Sequence, residues 1–242
     1  MTPTELVQQA CPKIGALGSA FYFNPATLAR GKELGLDGFR YYVIGRGGVL
    51  GNVEPAVVRS AFGYFAPELV TKIWSSATEV IEPRQGGREY LASAQAFGRS
   101  TFDNIDGLDA FNEAAGAINT ATDDASLPLY AAFAAEPLAD DAPARAMQLT
   151  ALLREYRGSA HLAAIRALNL DPAVAHAIKR PDDVATFGYA EAPAISDDDR
   201  ARLAAAETMT DEMVLGAYSA VDADGAAALM AGLTAMEAAV AG

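Results

Sequence analysis

Arg154, Arg157 and His161 are the residues whose types and spacing best suit chemistry. On a helix that runs unbroken through Gly158, their side chains would share one face. Arginines bind carboxylates and other anions through paired N–H donors, and a histidine gains or loses a proton near neutral pH. The spacing therefore predicts an anion-binding cluster, or a histidine that acts as an acid or a base.

The same three residues also fit a structural role. Each arginine could pair with a carboxylate in a buried network that joins the two halves of the chain, because buried charges are normally partnered. In either case two positive neighbours would lower the pKa of His161 and keep the imidazole neutral at pH 7. The sequence leaves both interpretations open.

Aromatic residues cluster in the first 75 positions. They could line an apolar pocket in which tyrosine hydroxyls supply polar groups, or they could form the core of the first half. We expect a pocket between the two halves. Its predicted ligand-binding residues are Tyr41, Tyr42, Arg46, Phe62, Tyr64, Arg154, Arg157 and His161.

Several common site types lack the residues they need. Cys11 is the single cysteine, which excludes an internal disulfide and a thiolate metal cluster. Gly45 and Gly47 begin a dinucleotide-like glycine pattern, but its third glycine position holds Leu50. His161 and the second histidine, His176, are too few for a zinc site. We predict no metal site, identify no cofactor, and find no nucleophile motif, so an enzyme is not the preferred interpretation.

The charge balance limits the partners. The chain carries 18 basic and 31 acidic side chains, a net charge of −13. Such a surface repels nucleic-acid phosphates and anionic lipids. Neither an N-terminal signal peptide nor an apolar run of the ~20 residues that span a membrane is evident. We expect a cytoplasmic protein that binds no membrane and no specific nucleic acid.

The elements that must position these residues are predicted to be helices. Alanine is abundant while valine, isoleucine and threonine are sparse, which favours an all-α fold. Helix starts are expected at Asn24-Pro25, Glu54-Pro55, Ala66-Pro67 and Ser196. Residues 39–44 could be a helix or a short strand. We predict a loop at 82–88, a helix break between 156 and 159, and irregular structure at 181–196.

One segment of the chain echoes another at a shift of 134 positions. Tyr22 then corresponds to Tyr156, Leu36 to Leu170, Asp37 to Asp171 and Arg46 to Arg180. The shared pattern is a helix, a Leu-Asp turn and a second helix. It predicts a duplicated helical unit, with an N-terminal half at 1–136 and a C-terminal half at 137–242.

Residues 153–161, LREYRGSAH, resemble the LREHRGDGH signature of an uncharacterised actinobacterial family classed as helix-turn-helix. Residues 46–51 and 57–70 are similar to two further segments of that family. In many members the C-terminal half resembles a winged helix of the multiple-antibiotic-resistance regulator type. Here only Ala190–Ser196 separate Tyr189 from the last helices, so the resemblance implies a wing that is reduced or absent.

We therefore expect a compact all-α protein of helix-turn-helix ancestry that binds or senses a small molecule without catalysis. The alternatives are a dimeric DNA-binding regulator and an enzyme that uses His161 as acid or base. A homodimer is expected because the last two helices carry ample apolar surface, at Leu203, Met209, Met213, Val214, Leu229, Met230, Leu233 and Met236.

Overall fold

The computed structural model describes residues 1–242 and contains twelve α-helices and no β-strand. The prediction of an all-α fold is confirmed. The helices are α1 (Pro3–Leu17), α2 (Pro25–Glu33), α3 (Gly38–Gly47), α4 (Pro55–Ala61), α5 (Pro67–Thr78), α6 (Pro83–Phe102), α7 (Leu108–Thr120), α8 (Pro128–Ala134), α9 (Ala142–Ala167), α10 (Pro172–Lys179), α11 (Asp197–Tyr218) and α12 (Ala223–Ala241). Short 3₁₀ turns occupy Gly48–Leu50 and Pro181–Asp183.

Local signals set most helix starts. Asn24 caps α2 and Ser196 caps α11, where Asp199 completes a capping box. Proline occupies the first turn of α2, α4 and α5, as predicted. Residues 39–44, for which a strand was an alternative, belong to helix α3.

The predicted loop at 82–88 is wrong, because α6 begins at Pro83. The Glu82 carboxylate accepts hydrogen bonds from the Arg84 and Gln85 amides at 2.9 and 2.7 Å and so caps the helix. Gly86 and Gly87 allow close packing instead of a turn. A Cβ on Gly86 would lie 2.8 Å from the Ile44 side chain of α3.

The predicted break between 156 and 159 is also wrong. Helix α9 runs from Ala142 to Ala167 through Gly158. It packs against α1, α6, α7, α8 and α11, so it is buried on several sides. Because α9 is continuous, Arg154, Arg157 and His161 lie on one helix face, as their spacing requires.

One hydrophobic core spans both predicted halves. It joins Ile14 of α1, Phe102 of α6, Leu153 of α9 and Leu233 of α12, all of them buried. Helix α1 packs on α9, α11 and α12, all of which lie in the predicted C-terminal half. The boundary at 136/137 therefore does not separate two independent cores.

The two segments related by the 134-residue shift make the same turn. Gly35 and Asn169 both have positive φ angles, of 80° and 54°. The Leu36 amide donates to the Gly31 carbonyl at 2.9 Å, and the Leu170 amide to the Ile165 carbonyl at 3.0 Å. Common local geometry supports a duplicated unit, which itself stays a prediction.

Residues 181–196 form an irregular strap with no wing strand, in agreement with the sequence-based expectation. The strap is fixed to the start of α5, where the Ala66 amide donates to the Phe187 carbonyl at 2.8 Å. Gly188 has a φ of 89°, and a Cβ there would lie 2.9 Å from Leu69. The strap thereby holds the Phe187 ring against Phe65, with ring centroids 4.1 Å apart.

None of the helices combines the length and the apolar character that a membrane span requires.

Candidate functional site

A cavity of about 720 Å³ lies between the first-half aromatic residues and helices α9 and α10, and the strap forms part of its wall. Small-molecule sites commonly have volumes of about 300–1,000 Å³. Seven of the predicted site residues line the cavity: Tyr42, Arg46, Phe62, Tyr64, Arg154, Arg157 and His161.

Tyr41 does not line this cavity. Its hydroxyl lies 2.8 Å from Ser93 Oγ of α6, and its ring packs edge-on against Tyr90 with centroids 5.0 Å apart. Neighbouring residues on a helix point in directions about 100° apart, so Tyr41 and Tyr42 face different elements. Tyr41 belongs to the core between α3 and α6.

A buried ion pair crosses the wall of the cavity. Arg46 of α3 donates from Nε and Nη2 to the two carboxylate oxygens of Glu155 of α9, at 3.1 and 2.7 Å. Arg46 also donates to the Tyr42 hydroxyl, and its guanidinium lies 4.7 Å from the Phe62 ring centroid. Burial opposes ionisation of Glu155, but Arg46 and Arg154 outweigh it and lower the pKa of this carboxyl.

Arg154 extends this network toward α1. Its Nη1 donates to the Tyr22 hydroxyl at 2.9 Å and to Glu155 Oε1 at 3.2 Å, and its Nε donates to the Gly15 carbonyl at 3.3 Å. The Tyr22 hydroxyl in turn donates to Glu155 Oε1 at 2.9 Å. Burial raises the pKa of Tyr22, so its hydroxyl keeps its proton.

A second charged group joins α9, α10 and α11. Arg157 Nη2 donates to Glu207 Oε2 at 3.0 Å and to Asp211 Oδ1 at 2.8 Å. Lys179 also contacts the Glu207 carboxylate. Burial raises the pKa of Glu207, but the hydrogen bond from Lys179 and the nearby positive charges outweigh it and lower the value to about 2. Each arginine of the motif is thus paired with a carboxylate, as the structural alternative requires.

His161 lies beside this group as a specific tautomer. The Thr210 hydroxyl is 2.6 Å from the Ala206 carbonyl, to which it donates its single hydrogen. At 2.9 Å from that hydroxyl, His161 Nδ1 must therefore be the donor. His161 Nε2 then carries a lone pair, is buried without a hydrogen-bond partner, and lies 3.5 Å from Glu207 Oε1.

The pKa of His161 is lowered to about 4, mainly by burial, while Lys179 and Arg157 contribute. The sequence predicted the direction correctly but attributed it to the arginines alone. Burial acts more strongly because it removes the imidazolium from water. At neutral pH the side chain is therefore an uncharged hydrogen-bond acceptor at Nε2.

His176, to which the sequence assigned no role, also lines the cavity. Its ring stacks on Phe187 of the strap with centroids 3.7 Å apart, and its Nε2 is buried without a partner. Burial lowers its pKa. No group of three or more His, Cys, Asp or Glu side chains is placed to hold a metal ion.

Sequence reasoning missed Glu155 and Glu207 as well. Glu155 stands beside Arg154 in the motif but does not share a face with His161, and this adjacency was the only local signal for it. Glu207 and Thr210 belong to α11, far along the chain from the motif. Their positions depend on how α11 packs against α9.

Comparison with known protein families identifies the family of this chain. The sequence model of a helix-turn-helix family matches residues 7–192, well over half of the chain. This chain belongs to that helix-turn-helix family. The match contains every residue that lines the cavity and ends before α11. Comparison with curated proteins and with solved structures returns no match.

In a DNA-binding helix-turn-helix, the second helix presents an accessible face to the major groove. Here the second helix of each segment aligned by the 134-residue shift packs inward. Four consecutive residues of α3, from Tyr41 to Ile44, are buried, and so are Ala175, His176 and Ala177 of α10. Lys179 ends α10 and contacts Glu207, and Arg180, which follows it, contacts Asp183. These helices therefore serve as walls of the cavity and the core.

Proposed function

We propose that this member of the helix-turn-helix family binds or senses a small molecule in the cavity between its two halves and does not catalyse a reaction. The cavity itself carries the proposal. It combines a volume suited to a small organic ligand with lining residues from α1, α3, α9, α10 and the strap. Binding there could change how these elements pack.

The lining is suited to an organic ligand. Aromatic rings supply apolar surface, at Phe23, Phe39, Tyr42, Phe62, Phe65 and Phe187. Fourteen of the 29 lining residues are hydrophobic, and α9 supplies a group of polar and charged ones: Arg154, Glu155, Arg157, Ser159 and His161. Two imidazole nitrogens, His161 Nε2 and His176 Nε2, are buried without partners beside this space, and a buried polar atom without a partner costs free energy that a ligand can recover.

A DNA-binding regulator is the second candidate, and membership of the helix-turn-helix family is the observation that favours it. Three features weigh against it: the net charge of −13, the buried second helices, and the lack of a strand that could form a wing. We propose that the helix-turn-helix pattern serves as a scaffold here. The enzyme alternative gains no specific support, because the Thr210 hydroxyl beside His161 accepts from Nδ1 and donates to the Ala206 carbonyl, so the imidazole does not activate it as a nucleophile.

We further propose that the two units arose by duplication in a winged-helix ancestor. The matching turns at Gly35 and Asn169 support this, since each places a residue of positive φ directly before a buried leucine and a capping aspartate. A homodimer that assembles through the last helices belongs to the same proposal.

Native mass spectrometry of the protein purified from its own host tests the proposal, with Gly158→Leu as the variant. Gly158 lines the cavity, and a Cβ there would meet nothing within 4 Å. The added side chain should therefore obstruct the cavity without a clash. Gly216→Leu is the matched control, because Gly216 is a helical glycine with equally open surroundings away from the cavity.

We expect an extra bound mass on the wild type and on Gly216→Leu, and its loss from Gly158→Leu. Either a wild type that carries no bound mass or a mass retained equally by both variants would contradict the proposed cavity.

A further inference from the structure

Three buried polar atoms of the lining side chains lack partners, at Arg157 Nε, His161 Nε2 and His176 Nε2, and the first two lie on α9. His161 Nε2 is an acceptor, because Nδ1 carries the proton that Thr210 requires. Arg157 Nε, one helical turn earlier on α9, is a donor that is also buried without a partner. A ligand group that serves both must donate one hydrogen bond and accept another. A hydroxyl does both, whereas a carboxylate only accepts and an ammonium only donates.

The charges around the cavity weigh against an ionic ligand group on separate grounds. Every cationic side chain of the lining already contacts a carboxylate: Arg46 and Arg154 contact Glu155, Arg157 and Lys179 contact Glu207, and Arg180 contacts Asp183. A carboxylate ligand would lie close to acids that already partner these cations and would be repelled by them. A cationic ligand would meet the same arginines and lysine.

The surroundings of His161 Nε2 show that this atom needs a hydrogen-bond donor and that Glu207 cannot supply one. His161 Nε2 and Glu207 Oε1 lie 3.5 Å apart, and while the imidazole is neutral both are acceptors. No hydrogen bond can form between them in this state. Glu207 Oε1 already accepts from Lys179, so His161 Nε2 is the acceptor of this pair that still needs a donor.

We infer that the ligand of the cavity is an uncharged molecule with an aromatic or similarly flat apolar body and a hydroxyl group that donates to His161 Nε2. This inference rests on the proposed function. The hydroxyl lies at the α9–α11 side, and the body packs among the rings of Tyr42, Phe62, Phe65 and Phe187. His161 selects the ligand and performs no chemistry on it.

Three probes of nearly equal shape test the inference by calorimetry at pH 7: 4-phenylphenol, 4-methoxybiphenyl and biphenyl-4-carboxylate. A phenol has a pKa of about 10 and is uncharged at this pH. We expect 4-phenylphenol to bind about 10-fold more tightly than its methyl ether, because the ether leaves His161 Nε2 without a donor. The carboxylate should bind most weakly.

His161→Asn separates recognition from structure. The asparagine amide can replace the Nδ1–H donor to Thr210 but offers no acceptor at the position of Nε2. We expect the phenol-to-ether affinity ratio to fall from about 10 to about 1 in this variant. His161→Gln, whose longer side chain can place an amide oxygen near the Nε2 position, should restore part of the ratio. A purely structural histidine would leave the ratio unchanged.

The outcomes distinguish this inference from the proposed function. Tightest binding by the carboxylate, equal binding of phenol and ether, or an unchanged ratio in His161→Asn would overturn the ligand class. If Gly158→Leu still abolished binding in those cases, the cavity would remain the site. Failure of all three probes to bind the wild type would overturn the ligand class, and the mass spectrometry described above would then decide the proposed function separately.

Discussion

Arg46 of α3 and Glu155 of α9 form a buried, two-pronged ion pair that joins the two halves of the chain. The exposed fractions of their side chains are 11% and 4%, and both carboxylate oxygens accept from the guanidinium. Arg154 and Tyr22 complete the hydrogen bonds of the same carboxylate. The pair fixes the wall of the cavity, so its loss should affect stability before it affects any ligand.

Glu155→Gln should lower the free energy of unfolding by roughly 3–5 kcal/mol, because Arg46 would remain buried without its carboxylate. Wild type, Arg46→Met, Glu155→Leu and the double variant Arg46→Met/Glu155→Leu form a mutant cycle. The double variant should be less destabilised than the sum of the two single variants, since it leaves neither charge unpaired. Urea denaturation of the four proteins provides the measurement. Additive losses would show that the pair is not coupled.

Stability should fall as the pH is lowered from about 6.5 to about 4. The folded-state pKa of His161 is about 4, below its ordinary value of 6.5, so the unfolded chain binds more protons in this window. The difference corresponds to roughly 3 kcal/mol. Glu207, Asp211, Lys179, Arg157 and Tyr64 face the imidazole, and Glu207 stays ionised because its pKa is about 2.

Urea denaturation at a series of pH values, with His161→Asn as the reference, isolates this contribution. The wild type should lose stability relative to the variant between pH 6.5 and 4, and the difference should level off below that range. Parallel curves for the two proteins would mean that His161 titrates normally in the folded state.

Two glycine substitutions should have opposite effects. Gly158→Ala should raise the free energy of unfolding by up to ~1 kcal/mol, because alanine favours a helix and its Cβ meets nothing within 4 Å. Gly45→Ala should lower it by about 1–3 kcal/mol, because its Cβ would lie 2.2 Å from the Tyr90 ring. Thermal melting of both variants tests this, and a stable Gly45→Ala protein would contradict the close packing of α3 on α6.

Duplex DNA should bind no better than non-specifically, and the affinity should vanish at physiological salt. The net charge of −13 and the buried faces of α3 and α10 give the reason. Fluorescence anisotropy with random duplexes and footprinting on the DNA that flanks its own coding region provide the measurement. A sequence-specific footprint at nanomolar protein would favour the regulator instead.

Light scattering should give a mass near twice the chain mass of 25.2 kDa at micromolar concentration. Part of the apolar surface predicted for assembly is used internally, since Val214, Leu229, Leu233 and Met236 are buried in the protein's own core. The exposed Met213 and the partly exposed Met230 remain available. Met213→Asp should then shift the mass toward the monomer, whereas a monomeric wild type would rule the dimer out.

Local chemistry determined the helical character and most helix starts of this protein. A cap at Asn24 or Ser196 and a proline in the first turn act within a few residues. The start of each of these helices can therefore be predicted from the sequence without knowledge of the packing. The common face of Arg154, Arg157 and His161 follows from helical periodicity alone. These three residues line the cavity together, whereas Tyr42, Arg46, Phe62 and Tyr64 reach it through tertiary packing.

Only the tertiary structure decided what those residues contact. From the sequence alone, Gly86 and Gly87 suggest a loop. In the structure they lie in helix α6, where Ile44 and Val49 pack so closely that a larger side chain would clash. Glu155 meets Arg46 across 109 positions, and Thr210 sets the tautomer of His161 across 49. Such contacts arise when distant helices pack, and the free energy that selects them comes from burial of the whole core, which no local segment contains.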